Sequence, residues 1–160
     1  MTVGDIATWV GSIATVCALG FAGWQLRSSR RAELAVRQAE IKGVAVEWRA
    51  TVVPRVPDPD GSGMWVYEIT VNNPGRLPIT YVEVEVTFPV DVRRHHHDGH
   101  VGRPVRSFTL SAPVVVAGGN RPWKRRLYIP FESRNELKRT TAVVTFQVAD
   151  GGRYSNRWPR

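Results

Sequence analysis

Residues 82–88 read VEVEVTF, and this run decides the fold of most of the chain. Val82, Val84, Val86 and Phe88 alternate with Glu83, Glu85 and Thr87. That period of two belongs to a strand with one face in a core and one in water. The same pattern extends to both sides. Upstream, Trp65, Tyr67, Ile69 and Val71 alternate with Glu68, Thr70 and Asn72, and Val44, Val46, Trp48 and Val52 alternate with Glu47, Arg49 and Thr51. Downstream, strands are predicted at 105–110 and 113–117, interrupted by Pro113. Another covers 123–129, with Trp123, Leu127 and Ile129 inward and Lys124, Arg126 and Tyr128 outward. A further strand covers 140–149, and a last one runs from Arg153 to Trp158. Turns are marked by PRVPDPDGSG (54–63), NNPGRLP (72–78), Gly118-Gly119 and Asp150-Gly151-Gly152. Residues 89–104 read as a polar loop, and 132–139 as a polar connection with room for one helical turn.

Seven or eight short strands with no helix between them predict an antiparallel sheet. The expected architecture is mainly β, an immunoglobulin-like sandwich over residues 44–160, with a small open barrel as the alternative. The cysteine pair of antibody domains is absent, because Cys17 is the only cysteine. An intrachain disulfide and a cysteine-based zinc site are thereby excluded.

The N-terminal part follows another rule. Residues 6–26, IATWVGSIATVCALGFAGWQL, carry no charge and at helical rise extend about 30 Å, the thickness of a bilayer core. Trp9 and Trp24 stand near its ends, where indoles favour the head-group boundary. Arg27, Arg30 and Arg31 follow, whereas the other flank holds only Asp5. The expectation is a single-pass membrane anchor over 1–26, the N-terminus outside and the remainder cytoplasmic. A signal peptide lacks support, since no positive residue precedes the apolar run. Residues 27–43 have helix-forming composition and a Glu33–Arg37 pair at i, i+4, which predicts a stalk helix stopped at Gly43. Leu34, Gln38 and Ile41 are a short seam on it. Ala7, Gly11, Ala14, Ala18 and Ala22 recur at four-residue spacing and are candidates for helix packing, against a second copy or a partner's membrane helix.

A short apolar helix, an arginine-containing stalk, NNPGRLPITYV (72–82) and VTFQVADGGRYSNRW (144–158) together resemble a loose group of small bacterial membrane proteins common in high-GC actinobacteria. The resemblance is detailed over Asn72–Val82 and Val143–Trp158. It implies an N-terminal membrane helix and a C-terminal β-sandwich, and no activity.

Two constellations bear on function. His95, His97 and His100, with His96, crowd one stretch, and imidazoles bind zinc, nickel or copper. A mobile loop without rigid support makes a poor metal site, so a solvated loop is the expected reading and no cofactor is assigned. The second is basic. The chain has 22 Lys and Arg against 14 Asp and Glu, a net +8, which points to anionic neighbours such as lipid, nucleic acid or acidic protein. The basic residues cluster as Arg121, Lys124, Arg125 and Arg126, then Arg134, Lys138 and Arg139; Lys124 and Arg126 share a strand face, and with Arg153 and Arg157 of the last strand they are the candidates for an anionic ligand. Glycine-rich phosphate loops, H-E-x-x-H and G-x-S-x-G are absent, so an enzyme is not expected. The sequence predicts a membrane-tethered module that recruits a protein partner at the inner membrane face, with a sensor of nucleotide or nucleic acid as the rival.

Overall fold

A computed structural model describes residues 3–159, with side chains from residue 20 onward. The chain divides into two compact units, residues 1–39 and 40–160. Helix α1 runs over Val3–Gly43 without a break. Among the described residues no helix is long and apolar enough to cross a membrane. Only residues 20–26 of the apolar stretch 6–26 have described side chains. Residues 6–19 of the spanning segment, with Ala7, Gly11, Ala14 and Ala18, therefore lie outside them. Ala22 is exposed, as are Phe21, Trp24 and Leu26. Leu34 is exposed too, whereas Ile41 packs against the core of the second unit.

That second unit is mainly β and fully antiparallel. Its strands are β1 (Ala45–Val52), β2 (Ser62–Asn72), β3 (Ile79–His95), β4 (Val101–Val115), β5 (Asn120–Pro130), β6 (Thr141–Gln147) and β7 (Arg153–Trp158). All belong to one curled, half-barrel sheet in the order β1-β2-β5-β3-β6-β7, with β4 added to β3. The inward residues read from alternation are the core. Ile69, Val71, Val82, Val84, Val86, Leu127, Ile129, Val144 and Phe146 are inaccessible to solvent. Burying each large one stabilises the fold by roughly 1.5–3 kcal/mol. Val52 departs from its expected face and is exposed, because the β1–β2 register shifts between Ala50 and Val52.

The stretch 89–104 is not a loop. Most of it is strand, and β3 and β4 form one long hairpin ribbon. Near its root β3 pairs with β6, Thr87 opposite Thr141, and near its tip with β5, Arg93 opposite Tyr128. Between these, the register of β3 with β4 slips from Thr87–Ser107 to Val92–Val105, so the extra residues of β3 bulge around Phe88–Asp91. Pro89 has no N–H to give a ladder, and a bulge bends its strand. β3 thereby leaves one part of the sheet and joins another, as strands do at sheet corners. The 3-10 helix Phe131–Arg139 links β5 to β6 and buries Leu137. The two strands expected around Pro113 are one, β4, because Pro113 sits on the outer edge of the sheet, where a missing N–H costs no ladder bond.

A basic cleft between the hairpin tip and strand β5

The bend brings the end of β3 beside β5, with His95 opposite Arg126 and Arg94 opposite Leu127. The hairpin turns tightly at His96–His100. The His96 N–H donates to His100 O at 2.8 Å, the Gly99 N–H to His96 O at 3.2 Å, and the His100 N–H to Asp98 Oδ1 at 2.9 Å. Gly99 has φ +84, a left-handed turn position that suits glycine. The bond from the His100 N–H, and then the charges of His96 and His100, lower the Asp98 pKa below its ordinary value.

Between this tip and β5 lies a cleft of about 420 Å³ lined by Arg94, His95, His96, His97, Lys124, Arg125 and Arg126. Its lining contains four permanent cations and no carboxylate. Lys124 and Arg126 are exposed, as their outward parity required. Arg125 is half-buried and takes the parity of Trp123 and Leu127, which are buried. Its Nη1 donates to Lys124 O at 2.9 Å, while its Nε is shielded from solvent with no hydrogen-bond partner, as is His95 Nδ1. Burial, and then the charge of Arg94, lower the Arg125 pKa from its usual value. On the outer side, the His95 and Tyr128 rings lie 5.9 Å apart, and the Arg93 guanidinium sits 5.9 Å from the Tyr128 ring centre.

The two constellations read separately in the sequence thus meet in one place, though not intact. His95 and His97 line the cleft. His100 instead lies against His96, with ring centres 6.0 Å apart. Among the described residues no three His, Cys, Asp or Glu side chains form a group able to hold a metal ion. Lys124 and Arg126 belong to the cleft, but Arg153 and Arg157 do not. β7 pairs with β6, away from β5, and Arg153 Nη2 stands 3.4 Å from Glu83 Oε2. Of the lining residues, sequence reading missed only Arg94, while His96 and Arg125 stood in the histidine and basic runs without being singled out. For Arg125 the signal was present, a charge at a core parity between Trp123 and Leu127.

No family model and no curated protein matches the chain. Solved structures give distant likenesses. The Northeast Structural Genomics Consortium target SoR45 is 10% identical over 74% of this chain and 83% of that one, with a TM-score of 0.40. The sporulation control protein Spo0M from Bacillus subtilis is 13% identical over 72% of this chain and 47% of that one, with a TM-score of 0.36. A FixG-related protein from Vibrio parahaemolyticus is 12% identical over 71% and 91%, with a TM-score of 0.31. The chain therefore spans about half the length of Spo0M. TM-scores this low carry no functional meaning.

Proposed function

We propose that the chain is a single-pass membrane protein whose cytoplasmic β-domain binds an anionic ligand, a nucleotide or nucleic acid, through the cleft between the β3–β4 tip and β5. The observation that supports this reading most is the lining itself. Arg94, Lys124, Arg125 and Arg126 converge with no carboxylate among the lining residues. A cleft of one sign concentrates ligands of the other. The anchor is the apolar stretch 6–26 with its arginine-rich flank, as in the actinobacterial membrane proteins that the sequence resembles. The domain itself is read as an immunoglobulin-like sandwich. Contacts of β1 with β6 and β7 favour two facing layers, and the β3 bend is the corner between them.

A second reading, recruitment of a protein partner, is favoured by a different feature. Leu77, Tyr81, Val114 and Val116 are exposed apolar residues. They gather where Thr80 pairs with Val114 and where Asn73 Nδ2 donates to the Leu77 and Val116 carbonyls. Exposed apolar clusters mark contact surfaces.

The anionic reading is tested with the full chain in detergent and a fluorescent nucleotide. Binding is expected to weaken roughly tenfold between about 50 and 200 mM salt, as counterions compete for a few phosphate contacts. Binding indifferent to salt would overturn it.

A further inference from the structure

Five arginines of this domain that lie outside the cleft are held by carboxylates. Arg49 meets Glu68 at 2.9 Å, Arg93 meets Asp60 at 2.7 Å, and Arg106 meets Asp91 at 3.0 Å. Arg76 stands 3.7 Å from Glu40 and Arg153 3.4 Å from Glu83. Inside the cleft, Arg94, Lys124, Arg125 and Arg126 have no carboxylate at ion-pair distance among the described residues. Arg125 and Arg94 are of one sign on the same inward face, and a half-buried pair of like charges is unfavourable unless an anion joins it.

Two kinds of anion bring the required charge, a phosphodiester strand and a compact phosphate group. A strand needs a basic track beyond the cleft and aromatic faces for its bases. The basic residues of β7 do not extend the cleft, because β6 lies between β7 and β3 and Arg153 is turned to Glu83. The aromatic faces are few: Tyr128, half-buried beside the cleft, is flanked by the His95 ring and the Arg93 guanidinium. Trp123 is buried, the Tyr154 ring lies 6.1 Å from the buried Phe146 ring, and Trp158 packs against the core. The cleft is instead small, about 420 Å³, bordered by His95, His96 and His97 of the hairpin tip and set with guanidinium groups, whose forked donors match phosphate oxygens.

We infer that the cleft receives a compact group with two or more negative charges, a terminal phosphate or pyrophosphate, clamped between Arg94 and Arg125, with Lys124 and Arg126 closing the outer side and His95 Nδ1 as a further donor. This rests on the anionic-ligand reading above and narrows it to a phosphate end rather than a nucleic-acid backbone. A soluble nucleotide and a phospholipid with a phosphomonoester head group both bring that chemistry.

The test uses the full chain in phosphatidylcholine nanodiscs, titrated calorimetrically with inorganic pyrophosphate and, separately, with a ten-nucleotide thymidine strand lacking terminal phosphates. Pyrophosphate is expected to bind. Arg125→Lys, which keeps the charge and loses the fork, and Arg126→Gln, at an exposed position, should each weaken it about tenfold or more, while Arg153→Gln leaves it unchanged. Thermal melting of each variant reports whether it folds. Phosphatidic acid in the discs identifies the source: abolished pyrophosphate binding means a lipid head group, unchanged binding a soluble ligand, and either supports the inference. Strand binding without pyrophosphate binding overturns the inference and leaves the anionic reading standing. Binding of neither overturns both, and pyrophosphate binding indifferent to Arg125→Lys and Arg126→Gln overturns the assigned site.

Discussion

Arg125 shares its inward parity with Trp123 and Leu127, and that one position turns a basic strand into a cleft with depth. Lys124 and Arg126 were legible from alternation. Arg125 was legible as part of the same basic run, but its inward side was not, since reading a strand by its apolar positions passes over a charge that stands among them. Arg94 was not legible, because its partner across the ladder, Leu127, lies far away in sequence and local polarity suggested a loop. Asp60 illustrates another local effect. The Ser62 hydroxyl first, then Arg93 and the Ser62 N–H, bring its pKa from 3.8 to about 2. Its contribution to stability is therefore full above pH 3.8 and is lost as pH falls through about 2. Solvent screens this exposed site, so the contribution is modest. Asp60→Asn should lower the urea midpoint at pH 7, and the gap to the parent protein should close near pH 2. A gap of the same size at both pH values would refute the assignment.

At the scale of elements, the β3–β4 ribbon positions the site. Its root was the clearest strand in the sequence, since Val82, Val84, Val86 and Phe88 all face the core. Its tip was misread because beyond the bulge only Val92 of the segment 91–100 is buried, so the run carries no alternation to see. Pairing with β5 is a tertiary effect, and it overrides local composition. The root is fixed by a polar residue whose role was also hidden. Asn73 is buried, and its Nδ2 lies 3.0 Å from Leu77 O, 3.3 Å from Val115 O and 3.1 Å from Val116 O, while Oδ1 accepts the Gly75 N–H at 3.1 Å. Asn73→Ala leaves those groups unpaired and should destabilise the domain by about 1–3 kcal/mol in urea denaturation. Asn73→Asp keeps the acceptor and loses the donors, so it should be at least as damaging. A variant as stable as the parent would show that the turn 72–78 is held otherwise. Asn156 has a similar role at the opposite edge, where Nδ2 donates to Ile41 O at 2.8 Å and to Val44 O at 2.9 Å.

For the whole molecule, composition and periodicity were enough to give an antiparallel β-domain following a helix; the curled half-barrel sheet leans to the open-barrel alternative, and periodicity could not choose it because the curl depends on where β3 bends. The membrane reading rests on the uncharged stretch 6–26 and the arginines after it. It predicts that the full chain stays with membranes through alkaline carbonate extraction and that a chain lacking residues 1–26 is released. Release of the full chain would contradict it. On the proposed function, one cleft and not the basic surface at large binds the anion. Arginine Nε–H resonances of the full chain in micelles, followed by NMR as ATP is added, test this directly. Ligand in the cleft moves the signals of Arg94, Arg125 and Arg126 together to saturation and leaves that of Arg153 in place. Uniform small shifts across all arginines, or movement confined to Arg153 and Arg157, would contradict it.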